Sequence, residues 1–189
     1  MLIYSHHING DETMNYKIEE KAAFAVGGYL KEMPKIEKNE NFYEISHFWS
    51  NLTENKMNQL MSVTDGTIQG LLGISDSNKA QRESFNYLIG TSVKSRDIKM
   101  DSLDLIQFPV SDWAVVECVG AISAGVTALD DKQPFEPNAL MKLKMQMSAP
   151  WNNNGLVENT ELPRVELYPM RNMESEDYRC ELWIPIKKY

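Results

Sequence analysis

Hydrophobic and polar positions along this chain form short alternating runs, broken twice by stretches of helical period. Residues 1–14 keep no sustained pattern, so residues 1–15 read as a flexible lead to a domain that begins at residue 16. Tyr16 to Lys31 is strand-like, with Ala23, Phe24, Ala25 and Val26 leading into Gly27-Gly28, where a bulge or bend is expected. Asn41-Phe42-Tyr43-Glu44 has capping-box spacing, the Asn capping and the Glu reaching back. Behind it Phe42, Ile45, Phe48, Trp49, Leu52, Leu60 and Met61 recur at mostly helical intervals, loosening around Asn55 to Asn58. This predicts an amphipathic helix of about five turns. Gly66 to Ile74 and Phe85 to Val93 then read as strands on either side of a polar loop, Ser75 to Arg82.

The same order returns after a polar joint at Ser95 to Asp104. Leu105 to Val119 is strand-like, with Trp113, Val115, Glu117 and Val119 on one face, and Gly120 closes it before a long loop to Pro134. Pro137 suits the first turn of a helix on which Leu140, Leu143 and Met147 line one side up to about Ser148. An Asn-rich loop, Trp151 to Thr160, precedes two strands, Leu162 to Tyr168 and Tyr178 to Ile186, hairpinned across Pro169 to Asp177. The pattern predicts one domain, residues 16–189, built from two strand-helix-strand-strand halves, 16–94 and 105–189. Superposing them sets Phe85-Asn86-Tyr87-Leu88 on Tyr178-Arg179-Cys180-Glu181, so the carboxylate of the closing strand exists in one half only. Glu181 shares a face with Trp183. A carboxylate beside an indole fits a receptor for a cation or a tuned acid or base, and it also fits an exposed Glu on the wet side of a half-buried strand.

Composition narrows the function classes. A net charge of −8 and a sequence pI near 4.9 disfavour direct contact with nucleic acid. No run approaches a membrane span and no secretory leader opens the sequence, so the expected location is cytoplasmic. Cys118 and Cys180 lie in apolar strand-like runs and read as buried free thiols. Neither His6-His7, in the lead, nor His47, on the predicted helix, has metal-ligand company; no metal or cofactor is expected. Nucleotide and nucleophile-elbow motifs are absent. The opening fifteen residues are too few for a DNA-reading module, which points to a receptor, a sequestering protein or an enzyme.

The order Trp113-x-Val115-x-Glu117-x-x-Gly120, Trp151-x-x-x-Gly155-Leu156, Pro163-x-Val165-Glu166-x-Tyr168 and Glu181-x-Trp183-Ile184-Pro185-Ile186 resembles the GyrI-like effector-binding domains. These close AraC- and MerR-type regulators and also stand alone as integron-associated effector-binding proteins. Phe48-Trp49, Gly66-x-x-x-Gly70-Leu71 and Phe85-x-Tyr87-Leu88-x-Gly90 fit the same pattern in the first half. The resemblance spans residues 16–189. It implies an α+β fold of the GyrI-like and BmrR effector-domain type, with one twisted antiparallel sheet, two main helices and a cleft on a pseudo-twofold axis. It also implies a cationic, aromatic small-molecule ligand near Glu181, a link to transcriptional regulation or drug sensing, and no membrane partner; any protein partner stays open. Some stand-alone members resemble hydrolases of cyclopropane-bearing natural products, the alternative in which Glu181 is the acid or base. Asn152-Asn153-Asn154 and the Ala121 to Gln133 loop depart from the family pattern beside the expected cleft. The candidate ligand-binding residues are Glu181, Trp183, Tyr168, Trp113, Glu117, Tyr29, Trp151, Tyr87 and Phe48, while Trp49 and the Met141, Met145 and Met147 group read as core.

Overall fold

The computed structural model describes residues 3–8, 12–35, 42–76, 83–94, 102–122, 137–147, 149, 151–152 and 155–189. These form β1 (Ile3–Ile8), β2 (Glu12–Lys21), β3 (Phe24–Pro34), α1 (Phe42–Ser50), α2 (Glu54–Val63), β4 (Leu71–Ser75), β5 (Ser84–Ser92), β6 (Asp104–Phe108), β7 (Ser111–Val119), α3 (Ala139–Gln146), β8 (Leu156–Glu158), β9 (Arg164–Tyr168) and β10 (Arg179–Lys188). Asn41, residues 77–82, 95–101 and 123–136, and Asn153-Asn154 lie outside the described residues, so the expected cap and the greater part of the expected loops do too.

All ten strands join one sheet in the order β1-β2-β7-β10-β9-β4-β5-β3-β6, with β8 paired to β10, and every described pairing is antiparallel. From β2 to β6 the order is a palindrome about the β9-β4 pair, in which β2 matches β6, β7 matches β3, and β10 matches β5. This is the pseudo-twofold α+β repeat. The halves also exchange strands: β2 pairs with β7 of the second half, and β6 pairs with β3 of the first. Only Ala22-Ala23 joins β2 to β3, and that connection spans about 11 Å at full extension. The sheet therefore curls until its two flanks meet. At the meeting point the Phe24 ring stacks on Phe108 at 4.5 Å and approaches Trp113 and Trp183 at 6.2 and 6.1 Å.

Several expectations change. The single strand Tyr16 to Lys31 is two strands turning at Ala22-Ala23, not at Gly27-Gly28. Both glycines keep regular pairing within β3 and make no bulge. A Cβ on Gly28 would lie 2.2 Å from the Ile89 carbonyl oxygen, so this position serves close strand approach. Part of the expected flexible lead, with His6 and His7, pairs with β2 as β1. Leu105 to Val119 divides into β6 and β7 at Pro109-Val110, as proline's missing donor favours. Pro137 precedes the cap Asn138 instead of entering the first turn of α3. The five-turn helix is two: the Ser50 hydroxyl and Asn51 amide both bond the His47 carbonyl at 2.9 Å, and Thr53, in extended conformation, caps α2.

Alternation gives the sheet two apolar faces. One packs Val26, Leu72, Ile74, Leu88, Phe108, Trp113, Val115, Val165 and Trp183 inside the curl. The other carries Leu71, Val116, Leu182 and Ile184 beneath Leu60 of α2 and Leu140 of α3, and a smaller cluster at Met33, Phe85, Tyr87 and Ile89. Cys118 and Cys180 face each other there as buried free thiols.

Candidate functional site

Cross-strand partners share a face, so the pairing of Glu166 with Leu182 and with Gly73 puts its carboxylate on the helix side of the two central strands. Glu166 is 2 % exposed. A carboxylate so placed requires partners, and it has three. The Tyr87 and Tyr168 hydroxyls donate to Oε2 at 2.6 and 2.7 Å, and the Lys144 ammonium of α3 meets Oε1 in a short ion pair. Trp49 Nε1 in turn donates to the Tyr87 oxygen at 3.1 Å, and its ring meets Tyr168 edge-on at 4.9 Å. Gly73 leaves the space in which these groups converge; a Cβ there would fall 2.2 Å from the Tyr87 oxygen and 2.8 Å from Glu166 Oε2.

Burial pushes the Glu166 carboxyl upward, but the Lys144 charge and the hydrogen bonds from Lys144, Tyr87 and Tyr168 outweigh it and hold the group below its ordinary value. Glu166 is thus ionised. Burial, and then the adjacent negative charge, push both tyrosine hydroxyls well above theirs. They remain donors.

This network forms one side of a cavity of about 350 Å³ between α1 and α3. Phe42, Ile45, Ser46 and Trp49 come from α1; Leu140, Met141 and Lys144 come from α3; Ile122, Tyr168 and Met173 complete the apolar lining. Its size lies within the range of small-molecule sites, and an apolar wall around one ionised group is their usual chemistry. Among the described residues no cluster of His, Cys, Asp or Glu suits a metal ion, and no helix is long and apolar enough to cross a membrane.

Of the residues singled out from the sequence, Tyr168 lines the cavity, Tyr87 holds Glu166, and Phe48 packs edge-on against Tyr87 at 6.5 Å. Tyr29 shares their face but bonds Gln59 of α2 at 2.5 Å, and Trp151 is core, edge-on to Tyr16. Glu181, Trp183, Trp113 and Glu117 lie on the opposite face of the sheet. There Glu181 accepts the Trp183 indole N–H at 2.6 Å and lies 3.8 Å from Lys17, while Glu117 pairs with Arg179 in the open. The cavity therefore does not centre on Glu181. Glu166 and Lys144 were not singled out, although Glu166 alternates with the apolar Val165 and Leu167 in a strand ending at Tyr168.

A larger cleft, about 1230 Å³, opens beside Trp183 on that opposite face. Its chemistry is poorer. Lys21 is tied to Glu19 at 2.9 Å and lies over the Trp183 ring at 3.9 Å, and Asp65 is spent on Thr67 and Ser92.

A curled antiparallel sheet whose two halves bring helices together over a buried carboxylate is the architecture of an effector-binding domain. The chain belongs to the Cass2 family, integron-associated effector binding protein, whose model matches residues 17–186. Among solved structures it is similar to SAV2435 bound to tetraphenylphosphonium, at 20% identity and TM-score 0.70, covering 91% of this chain and 93% of that one. It is also similar to the C-terminal domain of EcmrR, at 10% identity and TM-score 0.54, covering 93% and 99%. An integron cassette protein from the mobile metagenome of Vibrio cholerae matches at 10% identity and TM-score 0.50, covering 98% and 99%. No curated protein matches the chain.

Proposed function

We propose that this protein is a cytoplasmic receptor for a cationic, aromatic small molecule, held in the cavity between α1 and α3 with its charge on Glu166. The observation that carries the reading is a carboxylate, 2 % exposed and ion-paired with Lys144, on the wall of a cavity lined by Phe42, Trp49 and Tyr168. Away from water a fixed negative charge attracts a cation several-fold more strongly than in solvent, and aromatic faces add cation–π and apolar contact. The likeness to a protein bound to tetraphenylphosphonium, a cation clothed in phenyl rings, supports the same ligand class. A role in transcriptional regulation, by itself or with a DNA-binding partner, is supported by the likeness to EcmrR, which has been solved in complex with DNA.

Binding accounts for the site better than hydrolysis. Glu166 is already ion-paired with Lys144 and hydrogen-bonded by Tyr87 and Tyr168, an arrangement that suits holding a positive charge, and Glu181 is bound to Trp183 outside the cavity. Calorimetric titration with tetraphenylphosphonium tests the proposal. Glu166→Gln is expected to weaken binding by about 1–3 kcal/mol or more, because it removes the ligand's counter-charge and leaves the Lys144 ammonium facing the cavity. Equal affinity in wild type and variant would overturn it.

A further inference from the structure

The cavity already contains a cation. Lys144 Nζ is paired with Glu166 Oε1 and stands 5.7 Å from the centroid of the Phe42 ring, so it makes within the molecule the two contacts that a cationic aromatic ligand would make. The two tyrosine hydroxyls occupy Oε2, which leaves the Lys144 side of the carboxylate as its remaining approach. Glu166 Oε1 thus already meets a positive charge. A ligand cation arriving while Lys144 stays would face the ammonium's repulsion in a weakly screened space.

Resting on the ligand class proposed above, we propose that Lys144 is a resident counter-ion that a cationic ligand must displace, so that this ion pair sets the ligand class and couples occupancy to α3. The exchange keeps Glu166 paired throughout, which a simple rupture of the pair would not. Lys144 has somewhere to go: its side chain is 11% exposed, and its flexible four-carbon stem lets the ammonium regain water. A neutral ligand gains nothing by evicting it and has only the apolar walls to bind. Because α3 has 8 residues, fewer than the roughly 12–15 an isolated helix needs, its order depends on its packing and on this tether. Losing the tether loosens the helix.

The test is calorimetric titration of tetraphenylphosphonium into wild type, Lys144→Met and Lys144→Arg, with amide hydrogen exchange followed in α3. Lys144→Met is expected to bind at least about tenfold tighter, the competitor being gone. Lys144→Arg, whose planar fork grips a carboxylate more persistently, is expected to bind several-fold more weakly. Ligand should accelerate exchange in α3 of wild type and leave it unchanged in Lys144→Met. Tetraphenylphosphonium binding with equal or lower affinity in a folded Lys144→Met overturns the inference while the receptor reading stands. Should Lys144→Met not fold, Lys144→Arg decides, and affinity equal to or above wild type refutes displacement. If no variant and not the wild type binds the cation, the receptor reading fails, and this inference fails with it.

Discussion

Glu166 governs the chemistry of the cavity, and its surroundings give the protein a pH signature. Its folded value lies below the ordinary 4.5, so the stability it contributes is complete above that pH and drains away as the pH falls through the folded value. Tyr87 and Tyr168 act at the other limit. Their folded values lie above 10.0, so the unfolded chain loses phenolic protons first, and stability declines as pH rises past that point. Melting temperature against pH should therefore fall at both ends; Glu166→Gln should remove part of the acid limb and Tyr87→Phe part of the alkaline one. An acid limb unchanged in Glu166→Gln would mean that Glu166 is not the group titrating. The site was half legible in the sequence. Alternation placed Glu181 and Trp183 on one face correctly, and their hydrogen bond bears that out. What alternation does not say is which face the helices cover, and that alone separates Glu181 from Glu166. Lys144 is less legible, because a lysine on a short amphipathic helix reads as solvated until the opposing strand is known.

At the scale of elements, two helix starts show how differently similar caps can serve. Thr53 accepts the Lys56 amide at a long 3.4 Å on an exposed surface. Asn138 accepts the Met141 amide at 2.9 Å and donates to the Ile122 carbonyl at 2.6 Å, so it both starts α3 and ties it to the segment that follows β7. Thr53→Ala should cost about 0.5 kcal/mol and Asn138→Ala about 1–2 kcal/mol, the two ends of the capping range. Thermal or urea denaturation ranks them, and a costlier Thr53→Ala would contradict this account. The strands are the readable elements, since β4, β5, β7, β9 and β10 each overlap an expected strand run to within a few residues at their ends. Periodicity predicts one helix of about five turns, loosening around Asn55 to Asn58, where the structure has two helices that part at Asn51 to Thr53. Asn55 and Asn58 are exposed within α2, where polar side chains interrupt nothing, whereas Ser50 and Asn51 bond back to the His47 carbonyl and end α1. The glycines misled for a related reason: Gly28 looked like a bend, yet its missing Cβ admits the neighbouring strand.

For the whole molecule, the exchange of strands between halves is the feature that a one-dimensional pattern could not express. Periodicity shows that β2 and β6 are strands, but the choice of neighbour is made by the curl of the sheet. Its consequence is that neither half is self-sufficient. In an isolated 1–94 fragment β2 would keep only β1, because its other partner β7 is gone, and β3 would lose β6. The apolar cluster inside the curl would be cut as well, Val26, Leu72, Ile74 and Leu88 losing Phe108, Trp113, Val115, Val165 and Trp183. The central pair β4-β9, which carries Gly73 and Glu166, also crosses the halves. At about 1.5–3 kcal/mol for each large apolar side chain, losing that much shared burial is comparable with the roughly 5–15 kcal/mol that typically holds a domain folded. Fragments 1–94 and 95–189 should therefore each be largely unfolded by circular dichroism, and should regain native-like signal, a cooperative melt and tetraphenylphosphonium binding only when refolded together. A cooperative melt from either fragment alone would show that the halves are independent units and that the exchanged strands are an embellishment of the fold.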